Sequence, residues 1–82
     1  RNRIRMIGAG ITIEKEKQFG KFVSLIPYTN VVKGLTLTGF KYPLDHYDFK
    51  GFCSLGVSNE IIAESAQITF EDGILIVIEA RD

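Results

Sequence analysis

The sequence predicts an all-β domain: a sandwich or barrel of about seven or eight short antiparallel strands. Three observations point there. Several stretches alternate apolar with polar residues at period two, among them Asn2–Ile7, Leu35–Thr38 and Ala66–Phe70. Turn residues punctuate the chain at short intervals, at Gly8-Ala9-Gly10, Gly20, Tyr28-Thr29-Asn30, Gly39 and Asp72-Gly73. No stretch carries helical periodicity over a useful length.

The elements follow in order. Asn2 to Ile7 alternates charged or polar residues with Ile4, Met6 and their neighbours, and is a strand already in progress at the first residue. That start, without a methionine, predicts a piece of a longer protein. Ile11 to Lys15 alternates again, and Gln18 to Lys21 holds a glycine and turns. Phe22 to Pro27 is more continuously apolar and reads as a strand buried on both faces, ended by a proline that cannot donate to a ladder. Val31 and Val32 extend briefly before Lys33-Gly34.

Leu35 to Phe40 is the central strand. Leu35 and Leu37 share one face, and Thr36 and Thr38 the other. Gly39 breaks the alternation, as a glycine does at a bulge or close backbone approach. Phe40, Lys41, Tyr42 and Pro43 follow, so the strand delivers two rings and a cation to an irregular corner. Leu44 to Asp48 reads as polar and turn-like, with a short strand around Tyr47, Phe49 and Phe52. Gly51 and Gly56 bracket Phe52 to Leu55. Val57 to Ile62 fits either a single helical turn capped by Ser58 or a strand-to-loop corner. The end is clearer. Ala66, Ile68 and Phe70 alternate with Gln67, Thr69 and Glu71, Asp72-Gly73 signals a hairpin, and Ile74 to Ala80 returns as a strand apolar on both faces.

Composition narrows the function. The chain has 82 residues, which fits one domain spanning 1–82, and 45% are hydrophobic, enough for a core. Ten Lys and Arg balance ten Asp and Glu. A nucleic-acid partner calls for a basic excess, so none is expected. No run of 18 apolar residues spans a bilayer, so no membrane partner is expected. The one cysteine, Cys53, lacks an internal disulfide partner and reads as a small buried apolar residue in a reduced, cytoplasmic protein.

Catalytic sets are thin. His46 is the one histidine, without the spacing of a metal cluster or a serine in a nucleophile elbow, so it reads as a solvated turn residue. Gly8-Ala9-Gly10 is too short for a phosphate loop. Glu71 and Asp72 are explained by their turn. No catalytic residue and no metal ligand is assigned, and the chain reads as a binding or assembly domain. A pure interaction module and a carbohydrate-binding sandwich, with Phe40, Tyr42 and Tyr47 as an aromatic platform, are the alternatives.

Three stretches in register resemble the C-terminal domain of thiamine pyrophosphokinases. They are Phe22-Val23-Ser24-Leu25-Ile26-Pro27, then Gly34 through Leu44, then Gly56-Val57-Ser58-Asn59-Glu60 followed by Phe70 to Leu75 and the Arg81-Asp82 end. The resemblance runs from about Asn2 to the terminus. It implies a jelly-roll-like β-sandwich that binds thiamine and forms much of a homodimer. It implies an enzyme that transfers a pyrophosphoryl group from ATP to thiamine, with ATP and Mg²⁺ held in an N-terminal α/β domain absent from this chain. By itself the chain is then expected to be inactive, and to hold no cofactor.

The resemblance carries three residues to a thiamine site. Tyr42 stands at the aromatic position of the family's Gly-Leu-Lys-aromatic motif, with Phe40 replacing the usual leucine. Ser58 and Asn59 match the family's Ser-Asn pair. A tyrosine ring can stack on the aminopyrimidine or the cationic thiazolium. Ser58 and Asn59 offer donors and acceptors of the kind an aminopyrimidine edge requires. Lys41, beside a cationic ligand, is expected to face phosphate or solvent. Cys53 and the Leu44-Asp45-His46-Tyr47 stretch depart from the commoner family pattern.

Overall fold

The computed structural model describes residues 2–50 and 59–81. Eight strands fill them: β1 (Asn2–Ile7), β2 (Ile11–Glu14), β3 (Phe22–Pro27), β4 (Val31–Thr38), β5 (Leu44–Lys50), β6 (Asn59–Glu60), β7 (Ser65–Thr69) and β8 (Leu75–Ala80). A single 3₁₀ turn, Lys15–Lys17, follows β2. The strands form two antiparallel sheets of four, in the orders β1-β8-β3-β6 and β2-β7-β4-β5. The all-β sandwich is therefore as predicted. No helix among the described residues is long and apolar enough to cross a membrane.

The pairing is nested. β1 pairs with β8, β2 with β7, β3 with β6 and β4 with β5, so the chain is one long ribbon doubled back on itself at residues 39–43. Rolling up the ribbon adds the β3–β8 and β4–β7 pairs, which join it into two sheets. This is the jelly-roll way of burying strand edges in a small domain.

Two sheets stack because each has one apolar face to hide. Val23 and Leu25 of β3 and Leu75 and Val77 of β8 face Leu35, Leu37, Phe49 and Ile68 across the interior, and all are buried. Fully burying one such side chain contributes about 1.5–3 kcal/mol.

Several readings need correction. β3 is buried on one face: Val23, Leu25 and Pro27 point inward, while Ile26 is exposed. β8 likewise sends Leu75, Val77 and Glu79 inward and leaves Ile76, Ile78 and Ala80 partly open. Continuous apolarity marks here a sheet whose outer face is also apolar. Asp72-Gly73 is no β-hairpin. β7 and β8 lie in different sheets, and the turn carries the chain from one to the other. Gly73 adopts φ 111°, so the local turn chemistry was legible while the partner was not. Val31 and Val32 belong to the central strand, which ends at Thr38. The residues from Asn59 to Ile61 are extended, with no helical turn. Gly51–Ser58, including Phe52, Cys53 and Ser58, lie outside the described residues.

The stretch Leu44–Asp48, read as a turn, is strand β5. Two bulges disguise it. Between the Val32↔Phe49 and Leu35↔Tyr47 pairs β4 has one residue more than β5, at Lys33-Gly34. Between Leu35↔Tyr47 and Leu37↔Leu44 the excess falls on β5, at Asp45-His46. Gly34 takes φ 67° and His46 φ 49°, the left-handed values that such bulges use. Each is anchored: Gly34 N–H donates to Asp48 Oδ1 (3.1 Å), and His46 N–H donates to Thr36 Oγ1 (3.1 Å). The two slips cancel, but between them the period-two signal is lost.

The ribbon's fold point has a strict requirement. Gly39 sits at φ 80°, and a Cβ there would lie 2.4 Å from the backbone oxygen of Ser65. Gly39→Ala is expected to destabilise the domain by at least about 1–3 kcal/mol. Gly8→Ala, where a Cβ meets nothing within 4 Å, is expected to stay within about 0.5 kcal/mol of wild type. Urea denaturation of the two variants checks both; equal midpoints would refute the requirement.

Candidate functional site

The corner after β4 is built by hydrogen bonds to residues 59–63. Gly39 C=O accepts from Ile62 N–H (2.9 Å) and Ala63 N–H (3.2 Å). Phe40 bridges to Ile61, and Lys41 N–H donates to Glu60 C=O (2.8 Å). The next rung is made by a side chain. Tyr42 N–H donates to Asn59 Oδ1 (3.0 Å), and Asn59 Nδ2 donates to Tyr42 C=O (2.9 Å). The Asn59 amide thus stands in for a strand peptide, offering one donor and one acceptor in the geometry a ladder requires. Its oxygen also accepts from Glu60 N–H (2.9 Å).

This arrangement separates the two residues' roles. Asn59 is 3% exposed and its amide is engaged with backbone. Tyr42 is 57% exposed while its own backbone is clamped. A ring held at a fixed backbone position and open to solvent loses little entropy on meeting a flat ligand. Lys41 Nζ lies 5.6 Å from the Tyr42 ring centroid, within cation–π range. Tyr42 and Asn59 are therefore brought together, and Ser58, next in sequence to Asn59, lies outside the described residues.

The carbohydrate platform fails on geometry. Phe40 is 2% exposed and belongs to the core, and Tyr47 packs against it. They form no flat strip with Tyr42. His46 is exposed, with Nδ1 2.6 Å from Asp45 Oδ1, and serves the β5 bulge. Among the described residues no three His, Cys, Asp or Glu side chains converge as metal ligands. A groove of about 740 Å³ runs past Thr12, Glu14, Lys15, Glu16, Glu64 and Ser65, and includes neither Tyr42 nor Asn59.

One polar cluster was not foreseen. Glu79 on β8 is fully buried. Its Oε2 accepts from Arg3 Nη2 (2.6 Å), Arg3 Nε (3.1 Å) and Arg5 Nη2 (2.9 Å), and its Oε1 accepts from Phe19 N–H (3.3 Å). Arg81 Nε donates to Phe19 C=O. The guanidinium carbons of Arg81 and Arg3 lie 4.2 and 5.5 Å from the Phe19 ring centroid. The signal was present in the sequence: Arg3 and Arg5 alternate on β1, and Glu79 interrupts an apolar run.

Residues 10–75 match the family described as thiamin pyrophosphokinase, vitamin B1 binding domain. The thiamine pyrophosphokinase of Bacillus subtilis (strain 168) is 39% identical over 82 residues, which is 99% of this chain and 38% of that protein. A crystal structure of the Bacillus subtilis thiamine pyrophosphokinase superposes with a TM-score of 0.90 at 38% identity, covering 99% of this chain and 38% of that one. The thiamin pyrophosphokinase of Geobacillus thermodenitrificans gives 0.85 at 32% identity, with the same coverage. A thiamin pyrophosphokinase family protein of Enterococcus faecalis gives 0.81 at 30%, over 99% of this chain and 37% of that one. The chain thus spans about two-fifths of the length of these relatives, and it belongs to the family of thiamin pyrophosphokinase vitamin B1 binding domains.

Proposed function

We propose that this chain is the thiamine-binding and dimerising part of a cytoplasmic enzyme that transfers a pyrophosphoryl group from ATP to thiamine, releasing thiamine diphosphate and AMP. The observation that carries the reading is the Asn59 clamp on the Tyr42 backbone, which holds an exposed ring at the fold point of the ribbon. ATP and Mg²⁺ are assigned to the part of the enzyme beyond this chain, and no catalytic residue is assigned here.

Thiamine is a flat aminopyrimidine joined to a cationic thiazolium. Stacking on Tyr42 contributes about 0.5–1.5 kcal/mol, and facing the cation about 0.5–2 kcal/mol. The Lys41 ammonium already lies near the ring. Like charges repel, so the ligand cation takes the ring face away from Lys41. Ser58 supplies polar contacts to the aminopyrimidine. Asn59 acts mainly through Tyr42, because its amide oxygen already accepts two backbone N–H groups.

Dimerisation rests on the outer face of the first sheet. Direct cross-strand partners share a face, so Ile4 lies beside Ile78, Met6 beside Ile76, and Ile26 beside Ile76 on the other side. Phe22 and Ala80 continue the surface. The face holds no charge on β1, β8 or β3, and Ile4 and Met6 are 64% and 57% exposed. An uncharged apolar face meets its own copy without like-charge repulsion, as a two-fold interface requires.

In the full-length enzyme, Tyr42→Ala is expected to raise KM for thiamine about 5- to 30-fold, equivalent to about 1–2 kcal/mol, with KM for ATP unchanged. Asn59→Ala is expected to raise it too and to lower stability by about 1–3 kcal/mol. Wild-type steady-state kinetics in both variants would sink the site. Sedimentation equilibrium tests the interface: wild type is expected as a dimer, and Ile4→Glu with Met6→Glu as a folded monomer. A monomeric wild-type enzyme would refute the dimerising role of this face.

A further inference from the structure

Among the described residues, the contacts around Glu79 gather more arginines than the carboxylate binds. Arg3, Arg5 and Arg81 sum to three positive charges around one buried carboxylate. That carboxylate is saturated, with four N–H groups on its two oxygens. The side chains of Arg3 and Arg5 remain 43% and 37% exposed. Arg81 makes no bond to Glu79. It is held by Phe19, through the ring face and the backbone oxygen, and neither contact uses its terminal nitrogens.

A guanidinium fixed through its Nε and one face presents a preorganised fork, the geometry that fits a phosphoryl group bidentately.

The cluster shares a row with the Tyr42 clamp. Val23 on β3 pairs with Asn59 on one side and Glu79 on the other, and Glu79 pairs with Arg3. At ordinary strand spacing, Glu79 is about 10 Å from Asn59 and Arg3 about 15 Å from it. The exposed ring and the arginine cluster therefore occupy one end of the sandwich, two or three strands apart.

We propose that Arg81, with Arg3 and Arg5, forms a phosphate subsite that receives the phosphate end of a ligand whose rings lie on Tyr42. The link to Tyr42 rests on the thiamine reading above; the anion subsite itself does not. On that reading the subsite favours the phosphorylated form of the ligand over the free alcohol. Inorganic pyrophosphate binds it alone, with an affinity that falls as salt rises.

The test uses the full-length enzyme and isothermal titration with three probes: thiamine, thiamine diphosphate and inorganic pyrophosphate. Arg81→Gln is expected to weaken thiamine diphosphate and inorganic pyrophosphate about tenfold and to leave thiamine unchanged. Arg81→Lys is expected to fall between. Lys33→Gln, the same charge change on another strand, is expected to leave all three as in wild type. Equal weakening by Arg81→Gln and Lys33→Gln would reduce the effect to the general field of the protein and overturn the subsite, as would unchanged pyrophosphate affinity in Arg81→Gln. Weakened pyrophosphate with unchanged thiamine diphosphate would overturn the shared ligand while retaining an anion site for free phosphates. If Arg81→Gln melts early, the wild-type enzyme still decides: pyrophosphate must shift the arginine Nε resonances of Arg3, Arg5 and Arg81, and unmoved resonances overturn the proposal. Tyr42→Ala distinguishes the two readings, since it tests thiamine and leaves the pyrophosphate arm intact.

Discussion

Nested antiparallel pairing is the constraint on which the rest of the molecule depends. Once β4 turns back into β5, each earlier strand finds its partner among the later ones, and the last to close is β1 against β8. The place where the ribbon doubles back cannot be made from an ordinary two-residue turn, because the chain must also cross the end of the sandwich. Gly39 provides the left-handed residue, and residues 59–63 provide the hydrogen bonds. Backbone polar groups that would otherwise lie unpaired at a rim are thereby satisfied. The Asn59 side chain completes the last rung and, in doing so, fixes the backbone of Tyr42, whose ring is exposed.

Much of the fold was legible because its strands are short and most face one way. β1, β2, β7 and the Leu35–Thr38 half of β4 show their alternation directly. What failed did so for identifiable reasons. Asp72-Gly73 advertises a tight turn, but turn chemistry is local and does not say whether the next strand stays in the same sheet. Leu44–Asp48 lost its period to a bulge at Asp45-His46, matched by one at Lys33-Gly34. Phe22–Pro27 and Ile74–Ala80 read in one dimension as buried on both faces, because an apolar outer face and a second core look alike there.

The site divides in the same way. An aromatic residue after a strand-ending glycine is conspicuous in the sequence, so the position of Tyr42 at a corner was legible, and the structure leaves its ring exposed. The resemblance singles out Asn59, but its use as a surrogate peptide depends on a partner 17 residues away and could not be read from spacing. The Glu79 cluster was missed outright. Its ion pairs join residues 74 and 76 apart in the chain, and only the β1–β8 register makes Arg3 and Glu79 neighbours. A buried charge is tolerable there because guanidinium groups from the adjacent strand reach it from a half-exposed rim.

The same register has a kinetic side. Asn2 meets Ala80, so β1, made before the other seven strands of this sandwich, can complete its ladder only after β8 has emerged. Closing a loop of that size carries an entropic cost that the intervening strands must first reduce by pairing in order from the fold point outward. Until then both edges of β1, with Ile4 and Met6, are unpaired, and a neighbouring nascent chain could add to either. The flanking arginines answer that hazard during the wait: Arg3 and Arg5 repel a second copy of their own strand, and only the arrival of Glu79 turns that repulsion into attachment.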